Sequence, residues 1–78
     1  MTITGAQAKG ARGLLNWTRD RLAGASGLSP TAISRFEDGK RWPSPLRLSS
    51  IVCALEDAGV EFIAENGGAA GVKLRKGK

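Results

Sequence analysis

The apolar positions of this 78-residue chain change their spacing once. Up to Gly59 they recur every three or four residues, the period of a helix face, and beyond it they alternate, the period of a half-buried strand. Residues 6–16 (AQAKGARGLLN) put Ala8, Ala11 and Leu15 at helical spacing with Leu14 beside them; Gly10 and Gly13 weaken that helix by up to about 1 kcal/mol each. Thr18 has N-cap chemistry for a second helix over 18–25. Trp17 before the cap and Leu22 after it fit a hydrophobic staple, and Gly27 can take the positive φ that ends a helix. Ser29-Pro30 restarts the chain, with a good N-cap followed by proline at the first helical position. A third helix over 30–38 follows, closed by Gly39, with Ile33 and Phe36 inward and Ala32 and Leu28 adjoining. Ser44-Pro45 repeats the signal for a fourth helix over 45–58, whose stripe is Leu48, Ile51, Val52 and Leu55.

Beyond Gly59, "VEFI" and "VKLR" alternate around a glycine-rich bend, "ENGGAAG", which predicts a β-hairpin. Centring the loop on Gly67 pairs Val60 with Leu74, Glu61 with Lys73 and Phe62 with Val72. One face is then apolar and the other carries an opposite-charge pair, which contributes about 0.2–1 kcal/mol. A two-residue Asn66-Gly67 turn would set Val60 against Lys73 and Phe62 against Gly71, which spoils both faces. The expected organisation is a helical domain over 1–59 and a C-terminal hairpin with a basic tail over 60–78.

Composition narrows the function. The net charge of +5 is unevenly spread: residues 1–42 carry seven basic against three acidic side chains. In 43–65 Arg47 faces Glu56, Asp57, Glu61 and Glu65, and the last thirteen residues hold Lys73, Arg75, Lys76 and Lys78. A basic half beside an acidic segment suggests one surface turned to a polyanion. The single cysteine, Cys53, forms no intrachain disulfide and reads as a small buried hydrophobe. Without histidine a zinc site is close to excluded, and no other metal or cofactor is expected. The start lacks the apolar core of a signal peptide and no apolar run approaches the ~20 residues that span a bilayer. A cytoplasmic, nucleoid-associated protein is expected, with no membrane contact. Nothing resembles a nucleophile–base pair or a phosphate loop, so an enzyme is not expected. Trp42, one of four aromatic residues, reads as packing under the loop after helix three.

Ala23, Gly27, Leu28, Ile33 and Phe36 are spaced as a helix-turn-helix over 18–39 requires. Ala23 lets the two helices cross closely, Gly27 makes the turn, and the other three bury the inner face. The stretch from Ala11 to Phe62 resembles the Xre family of bacterial and phage regulators, with Cro- and lambda-repressor-like domains, through Leu22-Ala23, Gly27, Ser29, Glu37, Gly39 and Pro43. Arg19 departs from the glutamine usual there.

The resemblance implies a mainly α, four-to-five-helix lambda-repressor-like domain that binds double-stranded operator DNA as a homodimer, most simply as a repressor, with no small-molecule effector evident. The outward face of helix three, Thr31, Ser34 and Arg35, is short and polar enough to read base edges in the major groove. Arg19, Ser29 at the helix N-terminus, Lys40 and Arg41 would contact phosphates. A first-helix arginine pairs in such repressors with the glutamate ending the recognition helix, here Arg12 with Glu37. The hairpin residues Val60, Phe62, Val72 and Leu74 are expected to join two subunits. The competing reading is a protein-binding module, an antitoxin or antiactivator that holds a partner with its acidic helix four or its hairpin.

Overall fold

A computed structural model of the chain describes residues 3–63 and 71–74. Four helices, α1 (Gly5–Leu15), α2 (Arg19–Ser26), α3 (Pro30–Glu37) and α4 (Pro45–Asp57), precede an antiparallel pair of strands, β1 (Val60–Ile63) and β2 (Gly71–Leu74). The chain is thus mainly helical with a C-terminal hairpin. The glycine-rich bend and the basic tail beyond Leu74 lie outside the described residues.

Local chemistry sets the helix ends. The hydroxyls of Thr18, Ser29 and Ser44 accept from the amides of Arg21, Ala32 and Arg47, each satisfying one of the donors that a helix start leaves open. The first helix starts a residue earlier than its apolar spacing predicts, because Thr4 and Gln7 cap it reciprocally: Gln7 N donates to Thr4 Oγ1 at 3.1 Å and Thr4 N to Gln7 Oε1 at 3.0 Å. The Gln7 side-chain amide then donates to the Gly71 carbonyl at 3.2 Å, tying α1 to β2. At the far end of α3, Gly39 sits at φ +75°, with its N–H donating to the Phe36 carbonyl at 3.0 Å and that of Lys40 to the Arg35 carbonyl at 2.8 Å. This Schellman closure turns the chain sharply and leaves Lys40 and Arg41 exposed just past the helix.

Every element except β2 places fully buried side chains in one core: Ile3 ahead of α1, then Ala8, Ala11, Leu22, Ala23, Ile33, Phe36, Leu48, Ile51, Val52, Leu55, Val60 and Phe62. The strands pair in the register that alternation predicts, Val60 with Leu74, Glu61 with Lys73 and Phe62 with Val72. The core nevertheless does not stop at Gly59. Val60 and Phe62 pack among the helices, so the hairpin is not a separate unit and these two residues are not free to face another subunit. Of the four residues expected at a dimer contact, Val72 is half-buried and Leu74 is 49% exposed.

Two further expectations are corrected. Cys53 is exposed: at about 100° per residue it lies roughly 140° around the helix from Leu48, outside the apolar stripe. Trp42 is 59% exposed. Its ring leans on Phe36, centroids 5.5 Å apart and planes tilted by 57°, and the rest of it faces solvent.

Candidate nucleic-acid interface

α2 and α3 form the helix-turn-helix around Ala23, with Gly27 at φ +79° in the turn and Leu28 N–H donating to the Ala23 carbonyl at 3.1 Å. Because Ile33 and Phe36 face inward, helical geometry turns Thr31, Ser34 and Arg35 outward together. Thr31 and Arg35 are exposed and Ser34 is half-buried. With Arg19 and Asp20 from α2, and with Asp38 and Lys40, they line one shallow groove along α3.

Glu37 would repel a phosphate, and the fold removes it from the surface. Its side chain is wholly buried. Arg12 grips it with both ends of its fork, Nε to Oε2 at 2.6 Å and Nη2 to Oε1 at 2.7 Å, and donates Nη1 to the Trp17 carbonyl at 2.9 Å. The hydrogen bond to Glu37, helped by the attraction of its charge and opposed by burial, raises the Arg12 pKa further above its already high ordinary value, so the guanidinium stays charged at every working pH.

Arg19, expected at a phosphate, lines the groove and is also tied to α3. Its Nε donates to Glu37 Oε1 at 3.0 Å, Nη1 to Ser34 Oγ at 3.0 Å and Nη2 to Asp38 Oδ1 at 3.3 Å. The side chain is therefore part of the framework of α3. At the start of α3, Ser29 is exposed and accepts from Ala32, while Pro30 has no N–H. Among the described residues the Ser29 and Thr31 amides are left as open donors at that helix start.

One basic residue was missed from the sequence. Arg47 shares a small hollow with Arg35 and Arg41, floored by Leu28, Ala32 and Pro43. The signal was its position: a cation in the first turn of a helix opposes the macrodipole, so Arg47 is poorly explained by α4 itself. Three arginines with no acid among the lining residues favour an anion. Among the described residues no cluster of His, Cys, Asp and Glu is placed to hold a metal ion.

A helix-turn-helix family model matches residues 9–56, from within α1 to the end of α4 and more than half of the chain. The chain belongs to the Xre/lambda-repressor-like helix-turn-helix family. As a member of that family it is a DNA-binding transcriptional regulator. No curated protein matches the chain. None of the described helices of this family member is long and apolar enough to cross a membrane.

Proposed function

We propose that this regulator is a sequence-specific repressor that binds a palindromic operator as a homodimer in the cytoplasm, on the nucleoid. The observation that carries the reading is the outward face of α3: Thr31, Ser34 and Arg35 stand together on one groove, flanked by Lys40 and Arg41, while the nearby carboxylate of Glu37 is buried between two arginines. An α-helix fits the major groove, where each base pair shows a distinct donor and acceptor pattern. Arg35 has the fork that matches guanine O6 and N7, and Thr31 can meet a thymine methyl or a base-edge polar atom. The Thr31 amide in the turn capped by Ser29 meets one phosphate. Lys40, Arg41 and Arg47 follow the strand beside the groove.

The dimensions support a dimer. The chain measures 29 Å at its longest, whereas successive faces of the same groove lie about 34 Å apart, so one copy covers one half-site. Exposed Leu74 and the half-buried Val72 mark the strand through which the hairpin meets a second copy. Pairing along that strand would also satisfy backbone groups that proteins rarely leave open at an edge. With Val60 and Phe62 spent on the chain's own core and Val72 packed against it, exposed Leu74 carries the apolar part of the contact.

Enrichment from a randomised duplex library, followed by footprinting on the DNA upstream of the chain's own gene, tests the proposal. The expected outcome is a two-fold symmetric motif whose affinity falls steeply with salt. Lys40, Arg41 and Arg47 on each of two copies neutralise about six phosphates, for a log–log slope near −5. Weak binding with no enriched sequence would overturn the reading in favour of a protein partner.

A further inference from the structure

We propose that the hollow between the turn of the helix-turn-helix and the start of α4 binds a small organic anion with an apolar body, and that this anion displaces the DNA. Two adjoining cavities make the site. One, about 50 Å³, lies between Arg35, Arg41 and Arg47. The other, about 350 Å³, is bounded by the turn from Ser26 to Ser29 and by Leu46 and Ser50 of α4. They share Leu28, Ala32 and Arg47, so the cationic end borders the larger space directly. No acid lines either one.

The larger cavity is apolar in effect. Three serines line it, and the hydroxyl of each is engaged within the chain. Ser26 donates to the Leu22 carbonyl at 2.8 Å and Ser50 to the Leu46 carbonyl at 3.3 Å, while Ser29 accepts from the Ala32 amide at 3.1 Å. Leu46 is 80% exposed, the most exposed large apolar side chain among the described residues. A leucine standing alone on a surface needs no explanation. This one borders a cavity within the roughly 300–1,000 Å³ range of small-ligand clefts. The cationic end has room for one carboxylate or phosphate group, which an arginine fork matches, and none for the acidic surface of a protein. The ligand therefore carries a single anionic head for the arginines and a hydrocarbon body for the larger cavity. Arg35, Arg41 and Arg47 also face DNA, so the head group and the duplex exclude each other; this half of the proposal rests on the proposed function.

The test titrates the full chain with straight-chain carboxylates from acetate to octanoate and with hexyl phosphate, following backbone amides by NMR. Competition with the enriched operator is then measured at fixed ionic strength. Affinity is expected to climb about fourfold for each methylene that enters the cavity and to level off once it is full, with the amides of Gly27, Leu28 and Arg47 shifting. At ten times its own dissociation constant, the bound hexyl anion should weaken operator binding about tenfold for each copy it occupies. Leu46→Ser, at an exposed site outside the DNA-contacting residues, should flatten the chain-length series and leave operator affinity unchanged. Arg47→Ala should weaken every member of the series. The site is overturned if neither hexanoate nor hexyl phosphate shifts these amides, if affinity ignores chain length, or if the series stays as steep in Leu46→Ser. A hexyl anion that binds without displacing the operator overturns the competition. A chain that enriches no operator removes the proposed function, while the amide shifts still decide the site.

Discussion

Replacing Glu37 by alanine tests the buried pair at the centre of the molecule. The carboxylate makes three hydrogen bonds, two from Arg12 and one from Arg19, and its side chain has no exposed surface. Its removal leaves Arg12, 13% exposed at the side chain, with the Trp17 carbonyl as its remaining acceptor. Stranding one partner of a fully buried pair costs about 3–5 kcal/mol. Arg19 keeps Ser34 and Asp38 and is 35% exposed, so water recovers part of the loss and about 2–4 kcal/mol is expected for the whole change. A chain of this length has on the order of 4–12 kcal/mol of stability to draw on. At about 4–8 °C per kcal/mol for a domain of this size, the melting temperature should fall by roughly 8–32 °C. Thermal melting followed by circular dichroism gives the number, and a Glu37→Leu, Arg12→Met double variant should recover most of it, because an apolar pair strands no charge. The sign with pH is fixed by Arg12. Its raised pKa keeps the pair's contribution intact below the ordinary arginine value, and only a rise through the still higher folded value would remove it. The wild-type advantage should therefore be flat on the alkaline side of neutrality. A Glu37→Ala chain melting within about 4 °C of wild type would refute the reasoning.

Gly5→Ala should destabilise the fold by about 1–3 kcal/mol, since the new Cβ would lie 2.1 Å from the Phe36 carbonyl oxygen. Gly13→Ala, with nothing within 4 Å, should stabilise it by up to about 1 kcal/mol; chemical denaturation compares the two. Arg47→Ala should weaken specific and random DNA alike and make the salt slope shallower by about one for each copy bound, read by titration at several salt concentrations. Leu74→Asp should leave the monomer folded and abolish the dimer in light scattering, because Leu74 is half exposed in a single chain. Truncation after Gly59 should unfold the chain instead of releasing a monomer, since it removes Val60 and Phe62 from the core.

Much of this architecture is legible in the sequence because it is written in short-range chemistry. The N-caps Thr18, Ser29 and Ser44 are hydroxyl residues, two of them before a proline, glycines close α2, α3 and α4 while Asn16 at φ 61° closes α1, and the strand register follows from keeping apolar side chains on one face. Thr4 and Gln7 show the same chemistry but precede a segment rich in glycine and alanine, where apolar period is weak. What stayed hidden depends on distance in space. A tryptophan in a short loop carries no sign of whether a second layer covers it, and Trp42 leans on Phe36 while staying 59% exposed. Nothing in the sequence says where Arg19 turns, and Arg47 offers only its place in the first turn of a helix, which does not name its neighbours. Tertiary packing sends the first inward to Glu37, Ser34 and Asp38 and the second outward beside Arg35 and Arg41. The face of α3 was readable; which of its side chains the rest of the molecule holds in place was not.

The central claim is that α3 reads base edges while the loop behind it holds the backbone. The most direct measurement is the ratio of affinities for the enriched operator and for random duplex, taken for wild type, Arg35→Ala and Lys40→Ala at one salt concentration. Arg35→Ala should lower that ratio by about 1–3 kcal/mol per half-site and relax preference at one base position, while Lys40→Ala lowers both affinities and leaves the ratio where it was. An Arg35→Ala chain that loses specific and random binding equally would contradict the account and return Arg35 to the phosphates.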